Sequence, residues 1–424
     1  MGRKLTRFAM VLLLFVGLLS AHATVTPKHR RHRRVVATTS HRLVTSRRRR
    51  GVAYEHRVEY AHRAAGRRSV RGRAAFVRVR GRRRRVRYYG ERFTANSFAD
   101  INALTSGDVT AGEDPVVRAA AIEALGNMNG TVLAIDPSDG RILAMVNQKL
   151  ALSAGAEPCS TIKVAVALAA LKEGLVKADT PVNLGGHYSV DLTHALARSI
   201  NLYFEVLGRT MGFDRVKHYA NEFGLGELAG YNIPGEHLGV YPDTVLPAAD
   251  GGVGRMCSFG ESISMTPLQL GALVSAIANG GTLYYLQHPT SQTEVTDFQP
   301  KVKRILDIKD VIPQILPGME GAVDFSNGTA RSLRTNFEQF PVFGKTGTCS
   351  DNGTRFGWFV SYGDAPTGRI VTVIFLEGGR DTFGPKAAEL TGEFYRAMAD
   401  RNYFLQPKTD TATAAVRTSG GGGR

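Results

Sequence analysis

The sequence predicts an α+β fold, a five-stranded antiparallel sheet flanked by helices and interrupted by a long helical insertion. Three observations lead there. Two β-prone runs, residues 131–135 and 141–146, flank Pro137-Ser138-Asp139-Gly140, residue types that favour a tight turn. Three more runs, 341–348, 355–362 and 370–376, are joined by Ser350-Asp351-Asn352-Gly353 and by residues 363–368, which suits an antiparallel meander. Between the two groups, residues 192–286 are mostly helical in pattern, so the sheet closes across a non-local insertion with helices on both faces.

Charge divides the 424-residue chain before any element is placed. The net charge of +17 suggests a nucleic-acid binder until it is localised. Residues 24–92 hold 24 Arg or Lys against three Glu, while residues 93–424 hold 27 against 34. The basicity is confined to a segment low in complexity and apolar content, expected to stay extended and disordered because like charges at that density repel. Val77, Val79 and Val86 alternate with arginines and allow a short strand there. Such a segment serves either as a tether to an anionic membrane or envelope polymer or as a solubilising linker. Ahead of it, Arg3, Lys4 and Arg7, the apolar run 8–19 and Ala21-His22-Ala23 read as an export signal over residues 1–23, a signal peptide or signal anchor. The run is shorter than the roughly 20 residues that span a bilayer, which favours cleavage. Export argues against a nucleic-acid partner and leaves Cys159, Cys257 and Cys349 free to oxidise. With 43% hydrophobic residues the chain buries a sizeable core, which excludes a wholly disordered protein.

The globular part is expected over residues 93–405. Its first helix spans 114–125, with Asp114 at the start, apolar or small residues at helical spacing and Gly126 as a stop. After the first two strands comes a nearly all-apolar helix, 161–171, with Ser160 in its first turn and Gly174 at its end. Breaks fall at 224–230 and 251–254, a final helix at 385–400, and a disordered tail at 406–424.

Three clusters carry chemistry. Ser160 and Lys163 are three apart on one helical face, where a lysine amine can activate a serine hydroxyl if burial, a neighbouring cation and the helix N-terminus disfavour its charged form. The free first-turn amide of Ser160 faces a developing oxyanion. Ser199-Ile200-Asn201 offers a proton relay and a hold on a peptide carbonyl, provided the helix breaks there. Lys345-Thr346-Gly347-Thr348 ends a strand, where glycine admits a substrate backbone and the lysine and threonines suit a carboxylate. Ser350-Asp351-Asn352 competes with the second cluster but has the residues of a hairpin turn.

Ser-x-x-Lys, Ser-x-Asn and Lys-Thr-Gly in this order resemble the signature of penicillin-recognising serine enzymes. Residues 129–403 are similar to the transpeptidase domain of a penicillin-binding protein, including GTVLAIDPSDGRILAMV at 130–146, EPCSTIK at 157–163, TPLQLGALVSAIANGG at 266–281 and GWFVSY at 357–362. The resemblance implies a β-lactamase/transpeptidase-like fold, no cofactor and no metal. It makes Ser160 the acylated nucleophile, Lys163 its base and Ser199 a proton shuttle. Asn201 would hold the peptide carbonyl and Lys345 support the site, with Thr346, Gly347 and Thr348 binding the substrate end and the amides of Ser160 and Thr348 forming an oxyanion hole. It implies peptidoglycan stem peptides as substrates, β-lactams as inhibitors and action in the periplasm or at the outer face of the cytoplasmic membrane. No recognisable glycosyltransferase domain precedes the region, so a monofunctional D,D-transpeptidase is expected. A D,D-carboxypeptidase, a β-lactamase and a non-catalytic penicillin-sensing or polyanion-binding protein remain alternatives, although no Glu-x-x-Leu-Asn segment supplies a lactamase's water activation. Cys159 stands where the family commonly has glycine, and with Cys349 it is either half of a disulfide or a packing thiol.

Overall fold

The computed structural model describes residues 74–79, 82–87 and 93–405. Residues 1–23, where an export signal is expected, most of the basic segment and the tail at 406–424 lie outside the described residues. Within the basic segment, β1 (Ala74–Val79) and β2 (Arg82–Arg87) pair antiparallel, from Ala74 opposite Arg87 to Val79 opposite Arg82. These are the positions where the valine alternation allowed a short strand.

The main sheet has five strands, all antiparallel to their neighbours. They are β3 (Gly130–Asp136), β4 (Arg141–Val146), β5 (Val342–Asp351), β6 (Thr354–Ala365) and β7 (Gly368–Gly378), in the order β4-β3-β7-β6-β5. Strand β5 is thus an edge. Both faces are covered, and the period of two along each central strand divides the core accordingly. Val132, Ala134, Phe359, Ile370 and Ile374 pack against α1 (Pro115–Leu125) and α8 (Gly384–Asp400). Leu133, Ile135, Val360, Tyr362 and Val373 pack into the core made with the helical insertion.

Helix α1 starts where Asp114 accepts hydrogen bonds from the Val116 and Val117 amides and ends at Gly126, as its sequence predicts. In the insertion, α2 (Lys163–Lys172) is buried on every side from Lys163 to Leu171, which is why its sequence is apolar all round. It packs against α4 (Asn201–Met211), the helix following α3 (Leu192–Ala197). The break expected at 251–254 is instead the start of α5 (Gly252–Phe259), whose Cys257 sits against Gly208 of α4 so closely that a Cβ there would fall 2.6 Å from the sulfur. Tertiary packing overrides the low helix propensity of two glycines. Helix α6 (Pro267–Ala278), opened by a Thr266/Gln269 capping box, lies across β3, β6 and β7, and α7 (Ile312–Asp324) runs beside α3 and β5. Among the described residues, no helix is long and apolar enough to cross a membrane.

Candidate active site

Ser160 stands one turn ahead of α2, in a 3₁₀ turn, Cys159–Ile162, and not inside the α-helix the sequence predicts. Thr161 tightens this turn by donating both its amide (3.1 Å) and its hydroxyl (2.6 Å) to the Pro158 carbonyl. In 3₁₀ geometry residues three apart eclipse. Ser160 Oγ accordingly lies 2.9 Å from Lys163 Nζ, at the first residue of α2.

The 192–207 stretch breaks between α3 and α4, as the relay role requires. Ser199, in the break, adopts a left-handed φ of 57°, uncommon for a residue with a Cβ and kept only where surroundings impose it. This brings its carbonyl and its hydroxyl each to 3.0 Å from Lys163 Nζ. Asn201, first in α4, presents Oδ1 to the same amine at 2.5 Å. Lys345 reaches in from edge strand β5, with Nζ 2.9 Å from Ser199 Oγ and 3.0 Å from the Thr346 carbonyl. Five expected side chains from three separate segments therefore meet, with both lysines at zero exposure.

The hydrogen-bonding capacity of the Lys163 amine is informative. Ser199 O and Asn201 Oδ1 only accept, and together they take two N–H groups. Ser160 Oγ and Ser199 Oγ, also within 3.0 Å of Nζ, can each donate to a lone pair or accept an N–H. Phe204 of α4 places its ring centroid 5.4 Å from Nζ, an apolar wall with weak affinity for the charged form. Lys345 has no carboxylate within ion-pair distance among the described residues, and burial pushes its amine down to about 7.

Thr346 and Thr348 face away from the Lys345 side of β5. Thr346 Oγ1 lies 2.7 Å from Thr329 Oγ1, and Thr348 Oγ1 accepts from the Gly384 amide at 2.8 Å. Thr348 therefore keeps its own O–H to donate. Gly347 lies on the nucleophile turn, where a Cβ would fall 2.9 Å from the Pro158 carbonyl. Strand and turn are fastened further by the Trp358 indole, which donates to the Glu157 carbonyl at 3.1 Å, and by a disulfide between Cys159 and Cys349. Of the two alternatives for these cysteines, the structure has the bonded one.

Ser350 and Asp351 end β5, paired with Arg355 and Thr354 of β6, and Asn352, at a φ of 48°, stands in the turn between the two strands. Sequence reasoning missed Thr329, Phe204 and Trp358. None carries a local signal, because each reaches the site from another element through packing.

The five-stranded sheet, its helical insertion and this cluster of serines and lysines have the layout expected of the penicillin-recognising class. The family described as Penicillin binding protein transpeptidase domain matches residues 130–396, and the chain belongs to it. Stage V sporulation protein D of Bacillus subtilis is 27% identical over 316 residues, 64% of this chain and 48% of that protein. The peptidoglycan D,D-transpeptidase MrdA of Acinetobacter baumannii is 23% identical over 383 residues, 72% of this chain and 56% of that protein. The chain thus spans about half the length of these curated relatives. A crystal structure of Pseudomonas aeruginosa PBP2 in complex with WCK 5153 shares the fold, with a TM-score of 0.56 and 22% identity, over 68% of this chain and 74% of that one.

Proposed function

We propose that the chain is a peptidoglycan D,D-transpeptidase working through a serine acyl-enzyme. The observation that carries this reading is the convergence of the Ser160 hydroxyl, the Ser199 hydroxyl and the Asn201 amide on one buried amine, each within 3.0 Å. As free base, Lys163 takes the Ser160 proton while Oγ attacks the carbonyl carbon of the penultimate residue in a stem peptide ending in D-alanyl-D-alanine. The amides of Ser160 and Thr348 receive the oxyanion. As the tetrahedral intermediate collapses, the C–N bond breaks and the proton passes through Ser199 Oγ to the leaving D-alanine nitrogen. An amine from a neighbouring stem then attacks the ester, forming the cross-link and freeing Ser160. Asn201 holds the donor peptide's carbonyl, Thr346 and Thr348 its terminal carboxylate, and Gly347 lets its backbone lie along β5.

Lys345, bonded to Ser199 Oγ, tunes the relay. A β-lactam acylates the same serine. The basic amino-terminal quarter and the preceding export signal support action outside the cytoplasm, with residues 24–92 near anionic lipid or envelope polymer. The test is intact-mass analysis after incubation with a fluorescent penicillin, with peptide mapping of the adduct to Ser160. A D-alanyl-D-alanine peptide is then offered with and without an amine acceptor. Aminolysis product identifies a transpeptidase, hydrolysis alone a carboxypeptidase, and rapid loss of the penicillin adduct a β-lactamase. No adduct at all overturns the acyl-enzyme reading.

A further inference from the structure

The two backbone amides assigned to the oxyanion belong to Ser160 and Thr348. Each is the chain neighbour of a half-cystine, Cys159 on the nucleophile turn and Cys349 on β5, and the bond between these spans 190 residues of sequence with Cα atoms 5.5 Å apart. Resting on the acyl-enzyme reading, we infer that the Cys159–Cys349 disulfide is a positioning device that sets the spacing of the Ser160 and Thr348 amides and so raises the rate of acylation.

Three observations support this. Thr348 is confined at both neighbours, on one side by Gly347, where an added Cβ would fall 2.9 Å from the Pro158 carbonyl, and on the other by the bond from Cys349. Cys159 has a left-handed φ of 52°, which glycine adopts freely and a residue with a Cβ does not. A cysteine held there contributes its sulfur at the expense of backbone ease. Finally, turn and strand belong to distant parts of the sequence, and oxyanion donors act only within about 2.7–3.1 Å of the developing charge. The Trp358 indole ties residue 157 to the neighbouring strand β6, and Gly347 only permits β5 to approach residue 158. The disulfide is the link adjacent to both amide-bearing residues. Cys257, the free cysteine among the described residues, is fully buried between α4 and α5 and does not compete for the bond.

The test uses the full chain prepared in an oxidising compartment. Acylation by a fluorescent penicillin is followed by stopped flow over a range of concentrations, which separates the limiting rate from the half-saturating concentration. Oxidised protein, protein held reduced in dithiothreitol, and Cys349→Ala are compared, with a thermal midpoint for each. The limiting rate is expected to fall at least about tenfold in the reduced and variant proteins, the order expected when an oxyanion donor is loosened but not removed. The half-saturating concentration should hold within about twofold, and reoxidation should restore the wild type but not the variant. A lowered midpoint with an unchanged limiting rate marks a purely structural bond and overturns the inference. Peptides from unreduced protein with both thiols free to alkylation overturn it as well. If oxidised protein is never acylated, the acyl-enzyme reading fails and this inference with it, whereas equal rates in the oxidised and reduced forms remove the inference alone.

Discussion

Two buried amines converge on one hydroxyl, Ser199 Oγ, which stands 3.0 Å from Lys163 Nζ and 2.9 Å from Lys345 Nζ. Two ammonium groups on one hydroxyl in a site without exposure repel each other, so the pair favours a state with one amine neutral. Burial pushes Lys345 down to about 7 from its ordinary 10.5, so the native state holds fewer protons than the unfolded chain between those values. Its destabilising effect is complete below about pH 7 and is relieved as the pH rises toward 10.5. Replacing it by Lys345→Met should flatten that profile: from about pH 7 to about pH 10, denaturant midpoints of the wild type should rise relative to those of the variant. Ser160→Ala should abolish labelling by a fluorescent penicillin with little change in thermal midpoint, and Lys163→Ala should slow it by about 10²–10⁴-fold, the usual worth of a general base. Asn201→Asp tests the base differently. A carboxylate at 2.5 Å holds the Lys163 charge, so labelling should slow and the rising limb of rate against pH should move upward. An unmoved limb would remove Lys163 as the base.

At the scale of elements, the site is an assembly of one turn, one helix break and one edge strand. Gly347 decides how closely β5 approaches the turn, because a Cβ there would meet the Pro158 carbonyl, Thr161 and Cys159 within 3.3 Å. In Gly347→Ala the strand must move outward by a few tenths of an ångström. The limiting acylation rate should drop by about tenfold or more, while the thermal midpoint moves only slightly; stopped-flow labelling and a melting curve check both. The strands were legible because alternation and turn residues act over a few positions, and α1 because Asp114 and Gly126 mark its ends. The 3₁₀ turn at Ser160 and the helix starting at Gly252 were not, since both depend on what packs against them. The lysine spacing is the same in either helix type, because residues three apart share a face in both.

Across the whole molecule, the two-sided sheet separates a core under α1 and α8 from a core shared with the insertion, and the site sits on the insertion side of the β5 edge. The disulfide closes a loop of 190 residues, which on the chain-entropy account stabilises the folded state by about 5 kcal/mol. Reduction should therefore lower the denaturant midpoint as well as the acylation rate. The charge division predicts independence of the two parts: a chain of residues 93–405 should be labelled by penicillin within about twofold of the full-length rate, since every site group found among the described residues lies in that span. A large loss on that deletion would tie the basic segment to catalysis.

The residues by themselves determined the α+β order of elements, the one-turn spacing of Ser160 and Lys163, and the three clusters that supply the candidate site, because periodicity, turn preference and short spacing are local. Only the tertiary structure decided that Ser199 lies 36 residues from Lys163 in sequence yet 3.0 Å from its amine, that Lys345 shares that hydroxyl across 146 residues, and that Cys159 is bonded to Cys349. Those distances are set by burying both faces of a sheet whose strands come from opposite ends of the domain, and no local pattern encodes where such a sheet will close.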